Sequence, residues 1–421
     1  MTTRWSVVAA CAAMAMGTRG ARADWAVLPA PTVQDYVGGT GGGVGGCDDL
    51  QFQDVNLGMF VAVNGDPADI TKLITVFLKT TTGGTSWTGA KIAAFGSHQA
   101  RDRARLSFAS ASNGWVVSNQ KVAFTSDGGT SWMLATLPAG AIAVDVAALG
   151  PTTAVVTAMN GILRTTDGTT FTSVSTSASD LVLSFDTMTG VATGGLRTTN
   201  GGMTWTQSGA SAPMLGVTDW SRASATTAYA IGSVNKWSKT TDAGQTWSTP
   251  VVLSDCSVMC VAFVDDSHGV IGCKGLGQGS PTETRYSLYT SNGGTSWVHE
   301  PWPANWPARG IGSGINGVRC MAFPTATVAY AGWDYYEKQL IKRTGPSTPV
   351  VDGGPGAPDA ALVGDGGSSA VDAGPGGGGG GGGGCDLGGG RSATPATTGA
   401  LLLLLVVLVA LRSRAARSAR E

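Results

Sequence analysis

Between two glycine-rich stretches, Gly38–Gly46 and Gly353–Gly390, the chain is rich in Thr, Ser, Val and Trp and has few leucine-based helical patterns. β-branched and aromatic residues come at short spacing and are punctuated by Gly, Asn and Asp, the chemistry of strands and turns. One pattern recurs: an apolar strand, a short polar turn, then a strand of small residues. It reads LSFASASNGWVVS from Leu106, VAFVDDSHGVIG from Val261 and MAFPTATVAYAG from Met321. A third strand follows, then a glycine-containing turn closed by an aromatic residue, then a fourth. The pattern predicts units of four strands, A to D.

The closing turns are the most regular feature. Six segments share a form: TTTGGTSW from Thr80, TSDGGTSW from Thr125, TTDGTTF from Thr165, TTNGGMTW from Thr198, TTDAGQTW from Thr240 and TSNGGTSW from Thr290. Their aromatics fall at 87, 132, 171, 205, 247 and 297, between 34 and 50 residues apart. Repeats of this length built from four strands are propeller blades. An Asp or Asn side chain accepts hydrogen bonds from backbone N–H groups just ahead of it, and Gly supplies the positive φ of a tight turn. The indole then packs between neighbouring sheets. On this reading Asp127, Trp132, Asp167, Asn200, Trp205, Asp242, Trp247, Asn292 and Trp297 are structural. The segments resemble the Asp-box, S/T-x-D-x-G-x-T-W, of the BNR repeat family, with Thr82 where Asp is expected and a box at 165–171 that is one residue short.

A seventh unit begins at Cys320 and runs to Leu340–Arg343, with no such segment after it. Asp24–Pro29 (DWAVLP) echoes Trp132–Pro138 (WMLATLP), the stretch that follows the second box. The N-terminal strand is therefore expected to supply strand D of the last blade and remove the open sheet edges. The expected fold is an all-β, seven-bladed propeller over 24–345.

The ends read as targeting segments. Arg4, an apolar run from Trp5 to Met16 and Ala21-Arg22-Ala23 form a secretory signal peptide, residues 1–23, cleaved before Asp24. Residues 346–384, with nine consecutive glycines at Gly376–Gly384, form a disordered linker. Residues 385–421 hold Cys385, the apolar run Ala400–Leu411 and, after it, the four arginines Arg412, Arg414, Arg417 and Arg420. Twelve apolar residues span about 18 Å as a helix, short of the ~30 Å hydrocarbon core, so the segment reads as a sorting signal. The order of glycine run, Cys, apolar run and arginines resembles the MYXO-CTERM sorting tail, which implies processing at Cys385 and anchorage at the cell surface.

Net charge is −1 with 13% charged residues, which gives no basic surface for nucleic acid. With three histidines and no Cys at ligand spacing from them, no metal or cofactor is expected. Cys260 and Cys273 flank a turn almost symmetrically and are paired as a candidate disulfide; Cys47 and Cys320, near the starts of the first and last blades, are the second, and Cys256 is left over.

Strand order puts the boxes on one face and the D–A and B–C loops on the other. Three loops there carry candidate ligand residues: Arg101, Arg103 and Arg105; Arg285 beside Glu283; and Trp302, Trp306 and Arg309 beside Glu300. Arg222 and Arg319 also fall near this face, with Asp48, Asp49, Asp102 and Asp219. BNR-type propellers include sialidases, other glycoside hydrolases, sortilin-type receptors and photosystem II assembly factors. The unit length, blade count and Gly114-Trp115 look most like the assembly factors, which implies protein binding without catalysis. The expectation is a monomeric surface propeller that binds a protein or glycan through the loop face. The alternative is a glycoside hydrolase using Glu283 or Glu300, which needs two carboxylates roughly 5–10 Å apart.

Overall fold

The computed structural model describes residues 23–34, 46–98, 103–177, 179–208, 216–254, 256–274, 286–303, 306, 317–333 and 338–345. All lie in one compact unit, Met1–Gly354. Residues 1–22, the linker and the tail with Cys385 lie outside the described residues, as do Arg101, Asp102, Glu283, Arg285 and Arg309.

The strands form seven four-stranded antiparallel sheets. Six are consecutive in sequence, at 49–91, 105–134, 143–175, 182–207, 217–252 and 257–301, and are blades I to VI. Blade VII takes three strands from the end of the propeller, Val318–Thr325, Val328–Trp333 and Leu340–Thr344, and its outer strand, Asp24–Val27, from the start. Asp24 pairs with Thr344 and Val27 with Ile341, as the echo of Trp132–Pro138 predicts. Each inner strand contacts the inner strands of both neighbours, round to the contact between blades VII and I. The fold is a closed seven-bladed β-propeller.

The repeat turns explain why these residues recur. The Thr that opens each turn is buried, and its hydroxyl accepts the N–H of a glycine three or four residues on, at 2.9–3.1 Å in all six. The Asp or Asn two residues after Thr accepts the hydroxyl proton and a backbone N–H further along, as in Thr125 to Asp127 (2.8 Å) and Ser131 N–H to Asp127 (2.9 Å). In the first turn Thr82 substitutes: its hydroxyl accepts the Ser86 N–H at 3.0 Å. The glycine has positive φ (+90° at Gly129, +84° at Gly294), and a Cβ there would strike Phe77 or Trp237 of the preceding blade. One residue type thus satisfies both the turn and the packing. The closing indole fills the same interface: Trp132 lies edge-on to Phe77 of blade I and Trp297 to Trp237 of blade V, with centroids 5.1 and 5.9 Å apart.

Two devices fasten the seam. The Cys47–Cys320 disulfide joins blades I and VII across 273 residues. Between blades VI and VII, Arg343 donates from Nη2 to Glu300 Oε1 (2.7 Å) and from Nε to Oε2 (2.8 Å). Trp25 of the closing strand adds its indole N–H to Glu300 Oε2 at 3.3 Å. The guanidinium also lies over the Tyr289 ring, 4.1 Å from its centroid.

The other expected disulfide is corrected. Cys273 bonds Cys256, not Cys260, with Cα atoms 5.3 Å apart. The inner strand of blade VI is bulged: Val258 faces Cys273, Met259 is inserted, and Cys260 faces Gly272. The extra residue turns Cys260 to the other side of the sheet, into the blade VI–VII core, while Cys256 and Cys273 pack on the blade V side. Cys260 stays a buried free thiol.

Glu300 and Arg343 form a buried, bidentate pair, so removing one partner leaves an unbalanced buried charge. Glu300→Gln is expected to lower the unfolding free energy by about 3–5 kcal/mol in chemical denaturation. The double change Glu300→Leu with Arg343→Met is expected to recover most of that loss.

Candidate functional site

The inner strands start on the loop face, because their far ends turn back beside the repeat turns: the Gly128 N–H donates to Ser112 O and the Gly293 N–H to Ser267 O. Near their starts stand charged residues. Asp49, Asp145 and Asp219 belong to the inner strands of blades I, III and V, and each clasps the next blade. The Leu106 N–H donates to Asp49 Oδ2 (2.9 Å), that of Val182 to Asp145 Oδ2 (3.0 Å) and that of Val261 to Asp219 Oδ2 (3.0 Å). Two residues on, the Phe108 N–H donates to Gln51 and the Phe263 N–H to Ser221 Oγ, both at 2.8 Å. A strand at the axis has no sheet neighbour on its inner side, and these side chains satisfy part of its backbone.

Guanidinium groups interleave with the carboxylates. Arg103, just before blade II, donates to Asp48 O (2.9 Å) and Arg319 O (2.8 Å), tying blades I and VII beside the Cys47–Cys320 bridge. Arg319 lies 3.6 Å from Asp48 Oδ1. Arg105 of blade II reaches Asp219 of blade V, Nη1 to Oδ1 4.0 Å, so this pair spans the ring. Below the charged mouth a cavity of about 330 Å³ follows the axis. Asp49, Arg103, Asp219 and Arg319 line its loop-face end; Gln51, Ser221 and Arg222 line the wall further in.

Enclosure shifts these groups. Burial pushes the Asp145 carboxyl up to about 6, against the pull of Arg105 and the Val182 N–H. Burial also raises Asp219, partly offset by Arg103 and Arg105. Arg103 is lowered by burial and by its neighbour Arg105. Burial opposes the charge on Arg105, but Asp145, Asp49 and Asp219 outweigh it and hold the guanidinium above its ordinary value. The repeat-turn carboxylates go the other way: hydrogen bonds from Ser131 hold Asp127 at about 2. Among the described residues no group of three or more His, Cys, Asp or Glu is placed to hold a metal ion.

The loop residues singled out in the sequence separate. Arg103 and Arg105 meet at the axial mouth, with Asp48, Asp49, Asp219 and Arg319. Trp302 and Trp306 do not: both are buried in the blade VI–VII core, edge to face at 5.7 Å, and Trp306 Nε1 donates to Gln339 O at 3.0 Å. Both indoles pack inward between the two blades rather than on the loop face. Glu300 is likewise corrected from a candidate catalytic acid to the buried partner of Arg343. Asp145 went unnoticed; setting the inner strands in register, where it aligns with Asp219 immediately after a bulge, would have found it.

The fold and its charged axis define the class: a seven-bladed propeller with a small polar cavity along the ring. No family model matches the sequence, and no curated protein matches it. Among solved structures it is similar to YCF48 bound to D1 peptide, with a TM-score of 0.52 and 15% identity over 76% of this chain and 96% of that one. YCF48 from Cyanidioschyzon merolae gives 0.53 and 16% over 76% and 98%. A GH74 xyloglucanase from Xanthomonas campestris gives 0.49 and 12% over 75% and 52%. At these identities the likeness is one of fold.

Asp145 titrates near 6 in the folded chain against an ordinary 3.8, so the native state holds its proton more tightly than the unfolded one. Its ionised form therefore costs stability, fully above pH 6, and that cost is withdrawn as pH falls from about 6 through 3.8. Asp145→Asn keeps an acceptor for the Val182 N–H without the charge. Its stability advantage over the parent is expected to be greatest at pH 7.5 and to shrink by about 2 kcal/mol by pH 4.5. A difference that does not vary with pH would contradict the raised value.

Proposed function

We propose that this chain is an exported, surface-anchored propeller that binds a protein or a glycan, without catalysis, at the loop face where the axial cavity opens. The observation that carries this reading is how the axial charges are held. Each inner-strand carboxylate clasps a backbone N–H of the next blade, and guanidiniums stand between them. Acid–base catalysis by two carboxylates needs values pushed apart, one acid and one base. Here burial moves Asp145 and Asp219 in the same direction.

The repeat turns are read as Asp-boxes, and their hydrogen bonding supports a scaffold role. Export is read from the leader ending at Ala23 and anchorage from the tail with Cys385. Support for the cleavage point comes from the fold: the closing strand begins at Asp24, so cutting after Ala23 leaves it whole. N-terminal sequencing of the mature protein is expected to begin at Asp24.

A raised carboxyl beside the cavity is the one feature that favours a glycoside hydrolase instead. The two readings part in a single screen of glycans, candidate protein partners and chromogenic glycosides on the parent, Asp145→Asn and Asp219→Asn. Binding without turnover is the expected result. Turnover that either substitution abolishes would make this protein an enzyme.

A further inference from the structure

Arg105 differs from the other arginines around it. Arg103, Arg164, Arg197, Arg222 and Arg343 each donate a hydrogen bond to a carbonyl or carboxylate. Among the described residues Arg105 donates none; its ion-pair partner is Asp219, Oδ1 at 4.0 Å, and its side chain is 12% exposed. A guanidinium carries five N–H donors in a rigid fork, and those of Arg105 are not sealed in the protein but open to solvent at the mouth. Across the gap Asp219 uses Oδ2 for the Val261 N–H and leaves Oδ1 without a hydrogen bond. Two residues further along the same strand Ser221 Oγ accepts the Phe263 N–H, which leaves its own hydroxyl proton to be donated.

We propose that the axial mouth is a subsite for one neutral, polyhydroxylated unit, a single terminal sugar residue, held between Arg105 and Asp219. This rests on the binding reading above and names its ligand class. The donor and the acceptor are too far apart to bond each other, yet an oxygen about 2.8 Å from both fits beside them. A hydroxyl is the group that accepts from one and donates to the other. Charge selects the class: an anion at this point meets Asp49, Asp145 and Asp219, and a cation meets Arg103, Arg105 and Arg319. A neutral polyol meets both signs with hydrogen bonds and neither with net charge. Size limits the extent: Arg105 stands outside the lining, but the cavity that Asp219, Ser221 and Arg103 line holds about 330 Å³, the small end of ligand cavities at roughly 300–1,000 Å³, and suits one ring rather than a chain.

The test is saturation-transfer NMR and calorimetry of the purified protein with glucose, galactose, mannose, fucose and N-acetylglucosamine. Glucosamine, sialic acid and sulfate serve as charged comparators. At least one neutral sugar is expected to bind in preference to all three charged probes. Arg105→Lys keeps the charge but loses the fork, and is expected to weaken that sugar tenfold or more with an unchanged thermal midpoint. Asp219→Asn is expected to weaken it as well, and decides the matter should Arg105→Lys not fold. Failure of every neutral sugar to bind, preference for a charged probe, or binding indifferent to the folded variants would overturn the subsite. A longer glycan or a protein captured equally by the parent and both variants would remove the axial subsite and leave the binding function standing. Turnover of a glycoside would instead remove the binding function.

Discussion

Everything in this molecule depends on the pairing of four residues from the start of the propeller with the third strand of its last blade. Without Asp24–Val27, blade VII is a three-stranded sheet whose outer edge is open, and Trp25 and Leu28 leave the cores on either side of it. The pairing also brings the two ends of a long chain together, a loop closure that only a few local contacts reward. The protein concentrates other fastenings nearby: the bidentate Glu300–Arg343 pair shared with Trp25, and the bridge between Cys47 and Cys320.

The axial mouth is a consequence of that closure. Arg103 rests on backbone carbonyls of blades I and VII, so its position presupposes a closed seam. Arg105 and Asp219 face one another only because blades II and V are held across a ring of fixed circumference. Preorganisation of this kind removes the ordering cost that flexible side chains meet on binding. It also explains how three guanidiniums and four carboxylates coexist in a small space: they are held apart on five blades, I, II, III, V and VII.

Much of the fold was legible because a propeller repeats its local chemistry. The Thr, Asp or Asn, Gly and Trp positions of the closing turns each answer a hydrogen-bonding or packing demand within one hairpin or its neighbour, so they recur in sequence. The closing strand was visible for the same reason, as a copy of an outer strand in the wrong place. What escaped was set by single-residue offsets and by distant partners. One inserted residue, Met259, moves Cys260 off the face where Cys273 meets Cys256. Trp302, Trp306 and Glu300 looked like surface chemistry because their partners, Gln339 and Arg343, lie 33 and 43 residues away. Asp145 carries no local signature at all; its environment is made by Arg105, Asp49 and a backbone N–H from three different blades.

The strand Leu340–Thr344 also has a mechanical role. It is the last element before residue 345, so any tension carried by the chain beyond that point enters the propeller through it. Thr344 is paired on one side with Val328 and on the other with Asp24. A pull there cannot unzip one ladder at a time, as it would from a sheet edge; it must load both together, with the Arg343 fork behind them. The closing strand makes the place where the chain leaves the propeller an interior position of a sheet rather than an edge.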